Sequence, residues 1–599
     1  MALSAAATIV LLMSEYFEMH GGPLRLLVVA VTIAWFSLLI VYWNIAVPLQ
    51  RLAQWMSRLG SGDDSSPPRS MPLAPLVSEA TRLVQRLSEA KAEAAMEARL
   101  RLTNEAVWTP ERLKLHAAMQ LGGRPLFVVA NREPYEHVRR GGDIIMRTPA
   151  SGLVTGIEPV LRACGGVWVA HGSGNADWET ADERGRIAVP PDDPSYALRR
   201  VKLTPEEEDG YYYGFSNEGM WPLCHIAHTR PIFEAADWAH YQRVNEKFAA
   251  AVLDEMKGTQ DPCVLIQDYH FALLPRLIKK ARPDARVGMF WHIPWPNPET
   301  FGICPWQREI LDGMLGADLL GFHIQYHCNN FLETVDRALE ARVDWDRFAV
   351  RRLGRETFVK PLPISIAFPL PPAPANLPGK EELLRRLGVR GEFMLVGVDR
   401  IDYTKGLMER FRAVESLLDS RPDYAGRLVF VELGAPSRSL IPRYHDLMEQ
   451  VEAEVARINA RFQTKQWRPI VFLKAHHSHA EILPYYKAAD ACLVTSLHDG
   501  MNLVAKEYVA AREDERGVLI LSRFTGAVRE LRDALVINPY DTEQMAQAIH
   551  TALTMTQGEQ ARRMSAMRRV LSERNVYYWG ARLIEELARV PLADADVPS

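Results

Sequence analysis

No two of the six cysteines (Cys164, Cys224, Cys263, Cys304, Cys328 and Cys492) stand at CxxC spacing, so the 599-residue chain carries neither a disulfide framework nor the paired ligands of a structural zinc site. It also lacks a basic excess. Its 70 Lys and Arg face 74 Asp and Glu, a formal charge of -4, and no nucleic-acid partner is expected. Internal repeats are absent. Two histidine groups, His476, His477 and His479, and His323 with His327, have no acidic or Cys ligand at a spacing that completes a metal site, so no metal is expected. With 48% hydrophobic residues the chain is neither disordered nor fibrous, and its length suffices for two or three domains with cores of their own.

Charge is missing altogether from Leu26 to Trp43 (residues 26–43). With Ile45 to Leu49 this run reaches the roughly 20 residues of a membrane helix, and residues 1–47 are read as a membrane anchor. A buried soluble helix is the alternative. The earlier run Ala2 to Met13 is shorter and is either a second span or an interfacial piece. No basic residue precedes it, which argues against a cleaved signal peptide. Arg51, Arg58 and Arg69 outnumber Arg25, so the C-terminal bulk is expected on the cytoplasmic side of the inner membrane. Residues 48–100 then read helix, Ser/Pro-rich connector, helix. Leu76, Ala80, Leu83, Leu87, Ala90 and Ala94 alternate spacings of four and three, the seam of a parallel coiled coil. The segment resembles a HAMP linker, with an ordinary amphipathic stalk as the alternative, and either favours a homo-oligomer.

From Arg124 strands alternate with helices, the pattern of an α/β chain with parallel sheets. Leu126 to Ala130, Val264 to Gln267, Val287 to Trp291 and Leu319 to Phe322 read as strands of a first Rossmann-like domain, residues 124–368. A proline-rich crossing from Pro369 opens a second, residues 369–575, with strands at Phe393 to Val398, Leu428 to Glu432, Ile470 to Leu473, Ala491 to Val494 and Val518 to Leu521. Residues 576–599 read as a terminal helix and tail. Two doubly wound domains place a ligand where the carboxyl ends of both sheets face a common cleft.

The central stretch is His498 to Arg512. A short strand ends before Asp499-Gly500, and Asn502 to Arg512 has the composition of a helix, so backbone N–H groups at the turn can meet a diphosphate. Asp499 before the helix and Glu507 two turns into it can take sugar hydroxyls; an N-cap Asp and a solvated Glu are the alternative. Arg400 and Lys405, five residues apart after a strand, can bind a diphosphate without a metal. Arg438 ends another strand. In the first domain Asn131-Arg132 follow a strand and Pro149 to Gly152 open a helix, an arrangement suited to a phosphate. Tyr211 to Asn217 with Trp221 form an aromatic patch that fits a sugar face or the core. Asp268 and His292 each end a strand, where parallel-sheet proteins keep reactive groups.

Together, Asn131-Arg132, Tyr212 to Trp221, Asp268-Tyr-His, His292-Ile-Pro, Arg400-Ile-Asp-Tyr-Thr-Lys-Gly, Ser437-Arg438 and Asp499-Gly-Met-Asn-Leu-Val-Ala-Lys-Glu507 stand in the order found in the trehalose-6-phosphate synthases. From about Arg124 onward the chain resembles these retaining glycosyltransferases of the GT-B fold. The resemblance implies transfer of glucose from UDP-glucose to glucose 6-phosphate, with no cofactor. It implies Arg400 and Lys405 on the donor diphosphate, Glu507 on the ribose, and Asp499 with Gly500, Met501, Asn502 and Leu503 on the donor sugar. Arg132, Gly152, Tyr212, Trp221 and Arg438 would hold the acceptor, with Asp268 and His292 at the reacting centre.

The chain also departs from the family pattern. It has Ser151-Gly152 in place of two glycines, Ile364-Ser365-Ile366-Ala367 in place of Ile-Gly-Ile and an acid, His498 for an Arg and Trp295 for a Phe. These departures leave a second phosphorylated acceptor open, such as glycerol 3-phosphate. A non-catalytic sugar-phosphate sensor is the alternative of a different class.

Overall fold

The apolar runs after Arg124 become buried parallel strands because both faces of each sheet are covered by helices. The computed structural model describes residues 23–47, 50, 107–149, 152–371, 374 and 376–591. The chain divides into two units, Met1–Ala106 and Val107–Ser599.

In the first unit, Pro23–Val41 forms a 19-residue helix. Its side chains are described from Val31 onward, and there Val31, Ile33, Trp35, Leu38, Ile40 and Val41 are all exposed. Among the described residues no helix is long and apolar enough to cross a membrane. The heptad seam and nearly all of the HAMP-like segment lie outside the described residues.

The second unit holds two principal sheets. The ten-stranded one has a parallel centre in the spatial order Arg355–Pro361, Leu319–Phe322, Arg286–Phe290, Cys263–Gln267, Leu126–Arg132, Val167–His171 and Tyr196–Val201. Antiparallel strands complete both edges: Ala349–Arg352 and Arg342–Asp344 on one side, Arg186–Val189 on the other. The six-stranded sheet is parallel throughout, in the order Ile470–Lys474, Leu428–Ala435, Phe393–Arg400, Ala491–Val494, Val518–Ser522 and Leu535–Ile537.

Two helices near the ends of this unit serve the first sheet. Pro110–Leu121 starts at a Thr109 cap, whose hydroxyl accepts the Arg112 amide at 3.2 Å, and stops at Gly122 in the left-handed region (φ 58°). It buries Leu113, Ala117 and Leu121. Val576–Arg589 crosses back from the second sheet and packs beside it. There the Trp579 indole donates to the Leu362 carbonyl at 3.2 Å, and Asn575 donates to the carbonyls of Trp108 at 2.7 Å and Phe368 at 3.2 Å.

Candidate functional site

Six of the expected site residues stand at or just beyond the carboxyl ends of parallel strands. Arg132 closes Leu126–Arg132 and Arg400 closes Phe393–Arg400, while Asp268, His292, Arg438 and Asp499 follow strands that end at Gln267, Phe290, Ala435 and Val494. These ends meet. The Arg438 guanidinium lies 4.0 Å over the Trp221 ring and that of Arg400 lies 5.3 Å over it, so cations of the second sheet sit on an aromatic of the first. His498 shares a hydrogen bond of 2.7 Å with the His225 carbonyl, and Lys506 donates to the Ile364 carbonyl at 2.7 Å. Gly500 approaches the His292 carbonyl so closely that a Cβ there would stand 2.0 Å from its oxygen.

The turn after Ala491–Val494 goes against the alternative that Asp499 is a helix cap. The helix Leu503–Ala511 is capped by Asn502, whose Oδ1 accepts the Ala505 amide at 3.1 Å, and not by Asp499. Asp499 is thereby left for Lys405, whose ammonium lies 2.5 Å from its carboxylate, with Ser496 and Asn502 each donating at 3.2 Å. Burial alone would favour the neutral acid, yet Lys405 and these donors bring Asp499 down to about 2. Met501 is buried and accepts the Ala527 amide at 2.9 Å. Glu507, half-buried on the helix, takes the Tyr486 hydroxyl at 3.3 Å. Gly152 begins its helix facing Leu503, while Ala150 and Ser151 lie outside the described residues.

Across the cleft, Asp268 accepts the amides of Tyr269 at 2.9 Å and His292 at 3.0 Å. Burial nevertheless pushes its carboxyl up to about 7. Burial also holds the His292 ring neutral, with its pKa lowered to about 3, and Nε2 is engaged by Gln267 at 2.8 Å. Arg438 is fixed by Asp402 at 3.0 Å and by the Tyr444 hydroxyl at 2.5 Å, and its Nε has no partner among the described residues. Burial opposes ionisation of Tyr212, but the guanidinium groups of Arg132, Arg438 and Arg400 bring its pKa below the usual phenol range. The Tyr212 hydroxyl thus lies in the field of three guanidinium groups.

Three of the positive-φ residues that are not glycine stand here. Asp268 (φ 72°), Arg438 (φ 48°) and Asn502 (φ 73°) all occupy the left-handed region without being glycine, each at a cost of about 1–3 kcal/mol. Such conformations persist where the surroundings over-determine them, and all three lie in this cleft.

Sequence reasoning passed over two participants. His270 stacks on Tyr212 (centroids 5.8 Å apart, planes at 12°), and both its ring nitrogens are buried without a partner among the described residues. Asp402 is the buried carboxylate that holds Arg438. Both stand inside runs already singled out, Asp268-Tyr-His and Arg400-Ile-Asp, so the signal was present but spacing did not separate their roles. Among the described residues no group of three or more His, Cys, Asp or Glu is arranged to hold a metal ion.

A sequence profile described as glycosyltransferase family 20 matches residues 124–589, more than half of the chain. The chain belongs to glycosyltransferase family 20. Among curated members of family 20, the trehalose-6-phosphate synthase of Mycolicibacterium vanbaalenii is 37% identical over 482 residues, covering 78% of this chain and 96% of that one. The bifunctional trehalose-6-phosphate synthase/phosphatase of Thermoproteus tenax is 38% identical over 485 residues, and the match spans 79% of this chain but 64% of that longer protein. The fold agrees with solved family 20 structures. An E. coli protein bound with UDP-2-fluoro glucose superposes with a TM-score of 0.68 at 31% identity, over 78% of this chain and 99% of that one. An α,α-trehalose-phosphate synthase (UDP-forming) from Burkholderia xenovorans, in complex with glucose-6-phosphate, gives 0.69 at 30% identity over 77% and 99%. The α/β, GT-B-like architecture expected of family 20 is therefore the one present.

Proposed function

We infer that the protein transfers glucose from UDP-glucose to glucose 6-phosphate, giving trehalose 6-phosphate and UDP with retention at the anomeric carbon. The observation that carries this reading is the meeting of two charge sets at the joined strand ends. Arg132, Arg438 and Tyr212 make a site for a phosphate on the side of Asp268 and His292, with Arg400 over Trp221 at its border, whereas Lys405 and the 499–503 turn make one on the other. Two anion sites flanking a shared centre suit a reaction whose acceptor and leaving group are both phosphorylated.

In this reading Arg400, Lys405 and the backbone amides of the turn take up the charge that develops on the departing diphosphate, so the cations act on the transition state more than on the ground state. The Lys405–Asp499 pair aims the ammonium before substrate arrives, and Glu507 meets the ribose. Arg132, Tyr212, Trp221 and Arg438 anchor the acceptor through its phosphate and ring face. That anchoring fixes the attacking hydroxyl in place and removes much of the orientational entropy of the encounter. Asp268, protonated in part near neutrality, and the neutral His292 position the sugars. The acceptor hydroxyl attacks on the face from which the diphosphate leaves, and a leaving phosphate oxygen receives its proton.

The same reading keeps a membrane anchor at residues 26–43. It is supported by the uncharged run and by the apolar side chains exposed around the helix from Val31 to Val41. The arginine asymmetry around the run and six cysteines free of disulfides suit a catalytic body in the cytoplasm. The HAMP-like stalk and a homo-oligomer belong to the same proposal, resting on the heptad seam alone.

The test is release of UDP from UDP-glucose by the purified full chain with glucose 6-phosphate or glycerol 3-phosphate, followed by mass spectrometry. A trehalose phosphate is expected. Turnover with glycerol 3-phosphate alone would reassign the acceptor, and no turnover with either would leave a binding protein.

A further inference from the structure

A second concentration of arginines lies outside the cleft, beside the edge strand Leu535–Ile537 of the six-stranded sheet. Arg523, Arg529 and Arg532 line a cavity of about 390 Å³ together with Val536, Asn538 and Gln544. No acid lines it. Arg457 and Arg461, for example, are paired with Glu415, whereas none of these three makes an ion pair among the described residues. Their acidic sequence neighbours are turned elsewhere: Glu530 takes Lys506 at 2.6 Å, and Asp533 faces Arg562 at 3.4 Å.

The two amides complete the pattern. The Asn538 backbone N–H donates to Gln544 Oε1 at 2.6 Å, and the Tyr540 N–H donates to Asn538 Oδ1 at 3.2 Å. A backbone N–H requires an acceptor, so these contacts fix which end of each amide is oxygen. Both side-chain oxygens are thus occupied, and both NH₂ groups are left as donors without a partner among the described residues. The polar side chains that line the cavity are three arginines and two amides, with no carboxylate among them, and Arg532 Nε donates to the Arg529 carbonyl at 3.2 Å. The cavity's complement is a ligand that accepts hydrogen bonds and is negatively charged, which describes a phosphate or diphosphate group.

We propose that this cavity binds the phosphate or diphosphate group of a small soluble metabolite, and that its occupant is felt at the donor turn. The connection is short. Arg523 precedes Phe524, whose carbonyl accepts the Asp499 amide at 3.0 Å. Gly526 presses on Gly500 so tightly that a Cβ would stand 2.1 Å from the Gly500 carbonyl oxygen, and the Ala527 amide donates to Met501 at 2.9 Å. The segment 523–529 therefore floors the turn on one side and lines the cavity on the other. An anion held between Arg523 and Arg529 restrains that floor, and linkage requires the donor's affinity to change with it.

Pyrophosphate is the probe, titrated calorimetrically into the full chain with the cleft already saturated by UDP and glucose 6-phosphate, so that neither the donor-side nor the acceptor-side cations are counted. One site is expected, with affinity falling at least about tenfold in Arg529→Ala/Arg532→Ala. No heat with both present, or binding that the double variant leaves intact, overturns the proposal. Sedimentation with anionic phospholipid vesicles separates a lipid headgroup from a free phosphate: binding to vesicles but not to pyrophosphate overturns the metabolite reading. The coupling is read separately, as a change of more than twofold in UDP affinity on adding pyrophosphate; an unchanged UDP affinity with the cavity filled refutes it.

Discussion

Replacing Arg132 by alanine separates substrate binding from architecture more cleanly than any other change at the site. The side chain is 41% exposed, and its contact with Glu136 is 3.5 Å long, so the pair contributes no more than about 1 kcal/mol to stability. The lost charged hydrogen bond to an acceptor phosphate is worth about 1.5–3 kcal/mol. At about 1.36 kcal/mol per decade that is a fall of roughly ten- to 150-fold in kcat/KM for glucose 6-phosphate, with KM for UDP-glucose held within about twofold. The assay is initial-rate UDP release, varying each substrate with the other saturating, alongside a denaturant titration. Equal changes for both substrates would refute the placement of Arg132 on the acceptor side. Arg438→Ala does not discriminate in this way. It strands the buried Asp402 carboxylate, a loss of about 3–5 kcal/mol, so stability and acceptor affinity fall together. The sequence treats the two arginines alike, and burial separates them.

Gly500→Ala should cut turnover by about a hundredfold or more at unchanged circular dichroism, because a Cβ 2.0 Å from the His292 carbonyl must displace the turn by an ångström or so; near-wild-type activity would contradict the close approach. Asp268 carries its proton to about pH 7 in the folded protein, well above its ordinary 3.8, so its own contribution to stability declines as pH rises from about 4 to about 7 and is level above that. Asp268→Asn removes this decline, and a difference in melting temperature that does not grow between those limits would show the carboxyl to titrate normally. A fragment beginning at Val107 is expected to fold and turn over, whereas one beginning at Arg124 loses the buried Leu113, Ala117 and Leu121 and roughly 4 kcal/mol or more, measurable by urea titration.

The parallel strands of both sheets that position the site were legible because each is a short apolar run ending in a polar turn. Leu319–Phe322 and Ala491–Val494 match the expected limits, and several others run one to three residues further because a ladder outlasts the apolar run. The edges were not legible. Arg342–Asp344, Ala349–Arg352 and Arg186–Val189 are short and rich in charge, and they become strands only because a neighbour offers its free edge. Val167–His171 is apolar enough, but Gly165-Gly166 ahead of it obscures its start. Candidate site residues legible in the sequence include those that end a strand. The roles of Asn502, Asp402 and His270 depend on which neighbour is within reach in space, which spacing along the chain does not encode.

The return of Val576–Arg589 to the first sheet has a consequence for how the protein is made. The wall that this helix covers, with Gly288 and Val160 against Leu587 and Gly580, is synthesised well before its cover, which is translated only after the whole second sheet. During synthesis that wall is open for as long as the whole second half takes to emerge, at about 5–20 residues per second a delay of tens of seconds. The early half is thus a nascent species with an apolar groove awaiting Val576–Arg589, and a product truncated before Val576 would retain every candidate site residue and still lack a sealed core.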